Sequence, residues 1–466
     1  MRIGRILTLF LAGLLLTLPA LPQRARAEAS CRLDGATLGE GAQALFYSAR
    51  WVHRGQSCEA VARPRRCDGG RISGDSHYTY RRCIELEEFL GVNVNRRPDQ
   101  LDPALLARTG TDWIRASADV LRYTEPHHPG QKSQKWQLSD WSAYTAAAQD
   151  RSAILNLMWD FKELKERLPR PGSARESELF AFLDTRILDR LAPSVRIITT
   201  GNEPFVNTLE KDQKPDPAWG GAIPLVVFYQ RVTEHVDSYL RQRGLRDRVD
   251  IYVGSFTRLH TQEMRAEPAA RQLLAWAAGT DYVDGIDLHT HVQTLDQIDK
   301  TLAFVSKATD KPVIVTELSF IWRMRKALRE GDRLGRDFAA RWGRDPNRLT
   351  HAYLICDIFG LQPGCAGRKV SQAEWDDFFR TRDWYIDHFL LRSEEIFRRY
   401  GVRGASFGLE QSRPGPEQIA LDSRPWYLGF LFSPAAVLPG PGGEVPANYQ
   451  YLDDFLAIQA ARRAAR

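Results

Sequence analysis

The stretch VRIITTGNEPF, residues 195–205, places a polar Gly-Asn-Glu-Pro sequence directly after a run of apolar residues. A short apolar run bounded by turn residues is typical of a strand buried in a parallel sheet. The polar residues after it are either a solvated turn or the site where the strand delivers an acid to the edge of a pocket. Pro204 favours extended backbone at Glu203, which would hold that acid at the mouth of the strand.

Seven further stretches share this pattern, and segments with the three-to-four spacing of amphipathic helices lie between them. The eight predicted strands are Phe89–Asn95, Asp112–Val120, Ser152–Phe161, Val195–Glu203, Val249–Phe256, Val283–Val292, Lys311–Phe320 and Arg403–Gln411. The predicted helices are Pro103–Thr109, Ser139–Gln149, Glu176–Leu191, Pro224–Arg243, Gln262–Ala278, Leu295–Thr309, Gln372–Tyr400 and Tyr449–Ala464.

Eight β-then-α units predict an α/β fold, a (β/α)8 TIM barrel. An open doubly wound sheet would usually carry a glycine-rich phosphate turn after an early strand, and GVNVNRRP, residues 91–98, contains none. Two segments interrupt the repeat, Trp322–Val370 and Ser412–Asn448. Because both follow the carboxyl ends of strands, we expect them to build walls of the site.

Residues 1–27 are predicted to be a secretory signal peptide. Arginines precede an apolar stretch, residues 6–21, and a small-x-small cleavage site ends at Ala27, with cleavage after Ala29 as an equal alternative. This stretch is too short and wrongly flanked for a stable membrane span, and no later stretch is long and apolar enough to make one. We therefore expect a secreted or periplasmic protein.

Removal of this segment changes the charge of the chain. The formal net charge of +6 falls to about +2 without the four arginines of the signal peptide. A nearly neutral exported chain without a basic run does not favour nucleic acid as a partner.

The chain has six cysteines, an even number that predicts disulfides in an exported protein. Cys356 and Cys365 close a short loop and are predicted to pair, whereas the other four allow three pairings. A zinc site is the rival interpretation, but the spacings are not those of zinc motifs and no histidine cluster lies beside them. Residues 28–88, with the other four cysteines, are predicted to form a disulfide-stapled N-terminal extension. The four are Cys31, Cys58, Cys67 and Cys83.

Two predicted strands end in a carboxylate, Glu203 after the fourth and Glu317 after the seventh. An acid after a strongly apolar strand is costly unless the position needs it, and the carboxyl ends of barrel strands hold the reactive groups. Two facing carboxylates suit hydrolysis of a glycosidic bond, because one must donate a proton and the other must attack in its ionised form. A separation of about 5–5.5 Å permits the retaining route. Ionisation of one would also raise the pKa of the other.

Asn-Glu-Pro after the fourth strand and a lone Glu after the seventh resemble clan A of the retaining glycoside hydrolases, which includes cellulase-like family 5 and family 39. The resemblance covers roughly residues 89–466 and implies a (β/α)8 catalytic domain there. It implies that Glu203 is the acid/base, that Glu317 is the nucleophile and that Asn202 binds the 2-hydroxyl of the sugar. It also places Arg115 beneath the nucleophile, where a guanidinium would keep the carboxylate ionised.

Two strand ends depart from this resemblance. Related enzymes often carry His-x-Tyr on the sixth strand, where His289 matches and His291 replaces the tyrosine. Many relatives end the eighth strand with a tryptophan under the sugar, where this chain has Phe-Gly-Leu-Glu, residues 407–410. Trp159 or Trp426 is predicted to supply the platform instead, and Trp322 is a further candidate for stacking on a sugar.

The histidines also have a rival interpretation as metal ligands, because His289 and His291 face the same side of a strand. Such a pair is typical of the first strand in metal-dependent barrel hydrolases, whereas here it lies on the sixth, without a supporting lysine or further histidines. We therefore predict contact with substrate or satisfied core positions, and no metal or organic cofactor. Arg323 and Arg325 could meet acidic sugars, although solvated loop arginines are the simpler interpretation.

These observations predict a monomeric, secreted retaining glycoside hydrolase that cleaves β-glycosidic bonds in a polysaccharide or oligosaccharide by double displacement. The predicted partner is a β-linked glycan substrate. One alternative is a catalytically inactive glycan-binding barrel, which the altered sixth and eighth strands favour. Another is a transglycosylase, which shares the covalent intermediate and differs in the molecule that attacks it.

Overall fold

The computed structural model describes residues 30–49, 51–52, 57–85, 88–94, 98–121, 140–411, 425 and 428–464. The chain divides into two compact units, one ending at residue 86 and the other beginning at residue 87. The predicted signal peptide, residues 1–27, lies outside the described residues.

The N-terminal unit is a small β structure held by two disulfides. Its strands are β1 (Ser30–Leu33), β2 (Ala36–Gly39), β3 (Gln43–Tyr47), β4 (Trp51–Val52), β5 (Ala62–Asp68), β6 (Arg71–Ser73) and β7 (Ile84–Glu85). They form three small sheets, and a 3-10 helix spans Cys58–Val61. Of the three pairings that the sequence leaves open, the structure has Cys31–Cys67 and Cys58–Cys83.

The second unit is built on a closed parallel sheet, which confirms the predicted (β/α)8 TIM barrel. Its eight strands are β8 (Phe89–Asn93), β9 (Trp113–Asp119), β10 (Ser152–Met158), β11 (Ile197–Thr199), β12 (Asp250–Thr257), β13 (Gly285–His291), β14 (Val313–Ser319) and β15 (Gly404–Glu410). They pair in chain order, and β15 closes the ring by pairing with both β14 and β8. A short strand, β16 (Phe430–Phe432), adds to β15 beyond the ring.

Helices surround the strands. The α-helices are Pro103–Thr109, Ser142–Asp150, Phe161–Leu164, Ala174–Phe182, Asp189–Leu191, Pro204–Asn207, Pro224–Gln242, Gln262–Ala266, Pro268–Gly279, Leu295–Ala308, Ile321–Arg329, Arg336–Trp342, Thr350–Ala352, Gln372–Arg380, Phe389–Arg399 and Tyr451–Ala464. Two π-helical segments span Leu183–Leu188 and Tyr353–Ile358, and 3-10 turns span Pro98–Gln100, Ala192–Ser194, Glu210–Gln213 and Pro217–Trp219.

Two of the predicted helices are broken in the structure. The prediction Gln262–Ala278 is interrupted at Pro268, which begins the second piece because proline has no N–H to donate inside a helix. The prediction Gln372–Tyr400 splits where His388 takes the left-handed conformation at the start of the second piece.

The amino-terminal end of the barrel is closed by an apolar layer. Six buried side chains, one from each of six strands, meet there: Phe89, Trp113, Ile154, Ile197, Tyr252 and Ile314. Phe89 and Trp113 stack with ring centroids 4.2 Å apart. This layer leaves the carboxyl end of the barrel as the open end.

The long segment after β14 carries the predicted disulfide, Cys356–Cys365. No helix among the described residues is both long and apolar enough to cross a membrane.

Candidate active site

A buried arginine holds the carboxylate that follows β14. The side chain of Arg115, on β9, is wholly buried, and its Nη1 lies 2.8 Å from Oε1 of Glu317. Its Nη2 donates to Oδ1 of Asn202 over 3.3 Å and lies 3.4 Å from Nε2 of His289. The structure thus brings together Arg115, Asn202 and Glu317, as the resemblance implies.

The two histidines of β13 lie between the two carboxylates. Nδ1 of His289 is 3.4 Å from Oε1 of Glu203 and 3.7 Å from Oε2 of Glu317. Nε2 of His291 is 3.3 Å from Oε2 of Glu317 and 3.9 Å from Oε1 of Glu203. Because Oε1 of Glu203 and Oε2 of Glu317 both lie near the same ring nitrogen, these two oxygens are at most about 7 Å apart, a bound that allows the carboxylate separation of the retaining route.

A β-bulge explains why Glu317 points into the barrel. In the register of β13 and β14, Leu288 pairs with Val315 and His289 pairs with Glu317, so Thr316 is an extra residue. Side chains alternate along a strand, and one inserted residue turns the next side chain to the opposite face. Both Thr316 and Glu317 therefore face inward.

Asp287 supports this bulge and was not singled out from the sequence. It accepts hydrogen bonds from the backbone N–H of Thr316 at 3.3 Å, from the Thr316 hydroxyl at 2.7 Å and from the Ser255 hydroxyl. Burial raises the pKa of Asp287, although the charges of His289 and Arg115 oppose that rise. An acid two residues before His289, on the same face of the strand, was the available sequence signal.

Glu203 lies in a tight turn, and its backbone does not take the extended conformation that Pro204 predicts. It is the residue before the helix Pro204–Asn207 and has φ 43° and ψ 60°, in the left-handed region. The proline disfavours right-handed helix at Glu203, and the abrupt start of a helix selects the left-handed alternative.

Gly201 allows the close approach on which this turn depends. A Cβ there would lie 2.3 Å from the carbonyl oxygen of Gly254 and 2.5 Å from the ring of Tyr229. The Gly201 carbonyl accepts from the amide of Asn156 at 2.6 Å, and the side chain of Asn207 donates to the Asn202 carbonyl at 2.7 Å. These bonds fix the backbone on either side of Asn202.

The pKa values of both carboxylates are lowered, and that of Glu317 is lowered further than that of Glu203. Burial alone would raise the pKa of Glu317, but the charges of His289 and Arg115 and the hydrogen bond from His291 hold it well below the usual value. Burial would likewise raise the pKa of Glu203, but the hydrogen bond and charge of His289 lower it despite the neighbouring Glu317. The sequence anticipates only the repulsion between the two acids.

His289 has the opposite pKa shift to that of the two carboxylates. Burial would lower the pKa of His289, but the Glu317 charge and the Glu203 hydrogen bond raise it, with Arg115 opposing them. His291 is held from its other side, where Nδ1 lies 2.9 Å from the Ser319 hydroxyl.

The predicted tryptophans fall in different environments. Trp159 is fully buried, donates to the Thr200 carbonyl at 3.2 Å and packs edge-on against Phe228, so it has no open ring face for a sugar. Trp322 is half-buried at the start of the helix Ile321–Arg329. Trp426 lies outside the described residues.

Phe430 lies where the eighth strand lacks its tryptophan. Gly408 of β15 pairs with Phe430 of β16, and a Cβ on Gly408 would lie 2.6 Å from the Phe430 ring. A Cβ on Gly404 would lie 2.3 Å from the ring of Phe89, so this position faces the inner apolar layer. Gly408 lies four residues further along the strand and therefore also faces inward. The half-buried ring of Phe430 thus lies on the barrel side of this strand end.

Among the described residues, one group has donor atoms close enough to hold a metal ion. It consists of Glu203, His289 and His291, whose atoms lie within 4.8 Å of one another. The contacts of both histidines with Glu203 described above already bring these atoms together, and the absence of a metal cofactor stays a prediction.

No family model and no curated protein sequence matches this chain. Solved structures with a similar fold include a thermostable mutant of a xylanase from Cellvibrio japonicus, 13% identical over 79% of this chain and 98% of that one, with a TM-score of 0.44. Xylanase 10B from Thermotoga petrophila RKU-1, in complex with xylobiose, is 10% identical over 80% and 95% of the chains, with a TM-score of 0.42. A GH113 β-1,4-mannanase is 11% identical over 82% and 99%, with a TM-score of 0.38.

These neighbours are clan A glycoside hydrolases, the group that the strand ends resemble. At identities of 10 to 13% the similarity extends to the fold, so the chain is similar to these enzymes as a closed barrel of eight parallel strands.

Proposed function

We propose that this protein is a retaining glycoside hydrolase that cleaves β-glycosidic bonds in a polysaccharide or oligosaccharide. The observation that carries the proposal is the convergence of Glu203 and Glu317 on one nitrogen of His289, with Arg115 bonded to Glu317. Two carboxylates from different strands are thereby held close enough to flank a single glycosidic bond.

In the first step Glu317 attacks the anomeric carbon while Glu203 protonates the departing oxygen. Arg115 and the two histidines keep Glu317 ionised, which a nucleophilic carboxylate needs. Glu203 has a lowered pKa, so it draws the proton it delivers from the His289 ring, 3.4 Å away, and the pair titrates as a unit. In the second step the Glu203 carboxylate takes a proton from water, which cleaves the glycosyl ester.

Two further side chains are suited to hold the sugar. Arg115 donates a hydrogen bond to Oδ1 of Asn202. Among the described residues no group accepts a hydrogen bond from the side-chain N–H groups of Asn202, so they are available to a sugar hydroxyl. The Phe430 ring replaces the tryptophan of the eighth strand as the apolar floor under that sugar.

Export is part of the proposal. All six cysteines form disulfides, which persist in oxidising compartments such as the periplasm or the extracellular space. We propose a monomer that needs no metal or organic cofactor.

The test is turnover of activated aryl β-glycosides by the wild-type protein and by Glu203→Gln and Glu317→Gln, in buffer with EDTA. We expect Glu317→Gln to lose about 10⁴-fold or more in kcat, because it removes the nucleophile, and Glu203→Gln to lose about 10²–10⁴-fold, because it removes the group that transfers the proton. Glu395→Gln, an exposed glutamate on the outer helix Phe389–Arg399, is the control and should keep full activity.

The stereochemistry is read by NMR of the first-formed product, which should retain the β-configuration. Inversion would refute the double displacement. Glycan binding without turnover by the wild-type protein would favour the inactive binding barrel, and transfer to added sugar acceptors would favour the transglycosylase.

A further inference from the structure

We infer that the glycan carries a carboxylate, as a uronic acid does, and that Arg258, Trp322 and Arg325 bind this sugar at the rim of the barrel. The inference rests on the proposed function, because it names the class of substrate for the same site. Trp322 holds both guanidinium groups against its ring by cation–π contact, and a guanidinium offers paired N–H donors that match a carboxylate.

The topology places these three residues next to the catalytic carboxylates. Thr257, the last residue of β12, pairs with His289, and Arg258 follows it directly. Trp322 is the second residue of the helix Ile321–Arg329, which begins two residues after Ser319, the last residue of β14. The strands β12 and β14 flank β13 on its two sides.

The contact between Arg258 and Trp322 spans the end of β13. Cζ of Arg258 lies 5.7 Å from the centroid of the Trp322 ring, although the two residues come from strands on opposite sides of β13. The last residue of β13 is His291, whose Nε2 lies 3.3 Å from Glu317. A sugar next to the reacting one can therefore reach this group.

Among the residues that the structure describes, neither Arg258 nor Arg325 has an anionic partner. Cζ of Arg325 lies 5.4 Å from the same Trp322 ring, and its Nε is buried without a hydrogen-bond partner. Within the described parts of the chain, neither guanidinium makes an ion pair or a side-chain hydrogen bond. Two guanidinium groups around one ring repel each other, and a bound carboxylate would relieve that repulsion.

The neighbouring groups add to the positive charge of this rim. Arg265 and Arg323 donate only to backbone carbonyl oxygens, so no described carboxylate neutralises them. Burial lowers the pKa of His260, and the charges of Arg265, Arg258 and Lys300 lower it further.

The backbone at Arg258 points to the same role. Its φ of 60° lies in the left-handed region, where side chains other than glycine, asparagine and aspartate are uncommon. Such conformations concentrate at ligand sites, where the surrounding structure maintains them. By contrast, Arg323 is bonded to the Asp383 and Trp384 carbonyls and serves the fold.

The experiment is isothermal titration calorimetry in the Glu203→Gln background, which blocks turnover. Two matched pairs of pentasaccharides serve as probes: β-1,4-glucuronan with cellopentaose, and β-1,4-mannuronan with mannopentaose. We expect at least one uronate to bind about tenfold or more tightly than its neutral counterpart, with an advantage that shrinks as salt is added. Arg258→Gln combined with Arg325→Gln should remove that advantage, and Arg329→Gln, an exposed arginine on the same helix, should not.

Three results of the titrations with the uronates and the neutral sugars would overturn the inference. They are equal or tighter binding of both neutral sugars, no measurable binding of either uronate, and a uronate preference that survives the double substitution. A sulfated cellopentaose that binds as tightly as the uronates would refute the carboxylate in favour of charge alone. If the double variant unfolds, Arg258→Gln alone replaces it, because Arg258 is exposed and its substitution should not unfold the protein. This single variant should reduce the preference for the uronate. Binding does not require turnover, so a uronate preference with an inactive wild-type protein would refute only the proposed hydrolase.

Discussion

The two ends of the barrel are built from the same strands but contain opposite kinds of side chain. At the amino end, the inward positions hold Trp113, Ile154 and Ile314 in a buried apolar layer. Two residues further along β9, the inward position holds Arg115, fully buried and bonded to Glu317. Along β9, an apolar side chain of the closed layer and a charged side chain of the candidate site are thus only about 7 Å apart.

Each end contains a buried arginine, and the partners of the two arginines differ. Arg403, at the amino end, pairs with Asp250 at 2.8 Å and donates to the Tyr252 hydroxyl, groups that belong to the strand beginnings. Arg115 pairs with a carboxylate whose other oxygen lies beside two histidines and the open end. We infer that the closed layer serves stability, and that it supports a charged layer above it whose groups remain open to a ligand.

The largest effect on stability is expected from Trp113→Ala. This change removes the stack on Phe89 and opens a cavity in the closed layer, so the free energy of unfolding should fall by about 3–5 kcal/mol. Denaturant titration measures this loss, and turnover per folded molecule should stay near the wild-type value. Trp276→Ala, at a half-buried position on an outer helix, is the control with a smaller cost. A Trp113→Ala protein that folds but has no turnover would contradict the assignment of stability to the closed end and of turnover to the open end.

The pair Arg115→Met and Arg403→Met compares the two ends directly. Loss of Arg115 leaves Glu317 without its cation, so kcat/KM should fall about 10²–10³-fold and the pKa of Glu317 should rise. Loss of Arg403 should lower the free energy of unfolding while the folded protein keeps its kcat/KM. Equal losses of kcat/KM in the two variants would contradict the assignment of chemistry to one end.

The strands of this barrel are predictable from the sequence because each is a short apolar run between turn residues. All eight were located, and the acids that follow β11 and β14 meet as expected. Local composition contains this information, since a fully buried parallel strand needs apolar side chains on both faces.

Local composition does not determine the direction in which the proposed catalytic side chains point. The bulge at Thr316 depends on hydrogen bonds to Asp287 of the neighbouring strand, and simple alternation would have turned Glu317 outward. The left-handed turn at Glu203 depends on the space that Gly201 leaves beside Tyr229. The ring of Phe430 reaches Gly408 from a strand that the sequence did not predict. All three are contacts between distant segments, which a single sequence does not reveal.

The pH profile of kcat/KM tests the charges of the open end. Glu317 must be ionised, and because its pKa is lowered well below 4.5, the acid limb should lie below that pH. In the proposed mechanism Glu203 shares the proton that it delivers with His289. Because the pKa of His289 is raised above 6.5, the alkaline limb should lie above that pH. Outside each limb the rate should change about tenfold per pH unit. In Arg115→Met the acid limb should move to higher pH, and an unmoved limb would show that Arg115 does not hold the nucleophile ionised.

The smallest effect is expected from Ser319→Ala, which removes the hydroxyl 2.9 Å from Nδ1 of His291. His291 would keep its contact with Glu317 but lose the group that orients its ring, so kcat/KM should fall about 3- to 10-fold, the value of one hydrogen bond. Thr111→Val is the matched change near the closed end, where the hydroxyl donates to the Leu90 carbonyl at 2.7 Å. It should cost about 1 kcal/mol of unfolding free energy and leave the rate of the folded protein unchanged. If Ser319→Ala instead lowers stability and spares the rate, the His291 ring belongs with the packing of the barrel rather than with its chemistry.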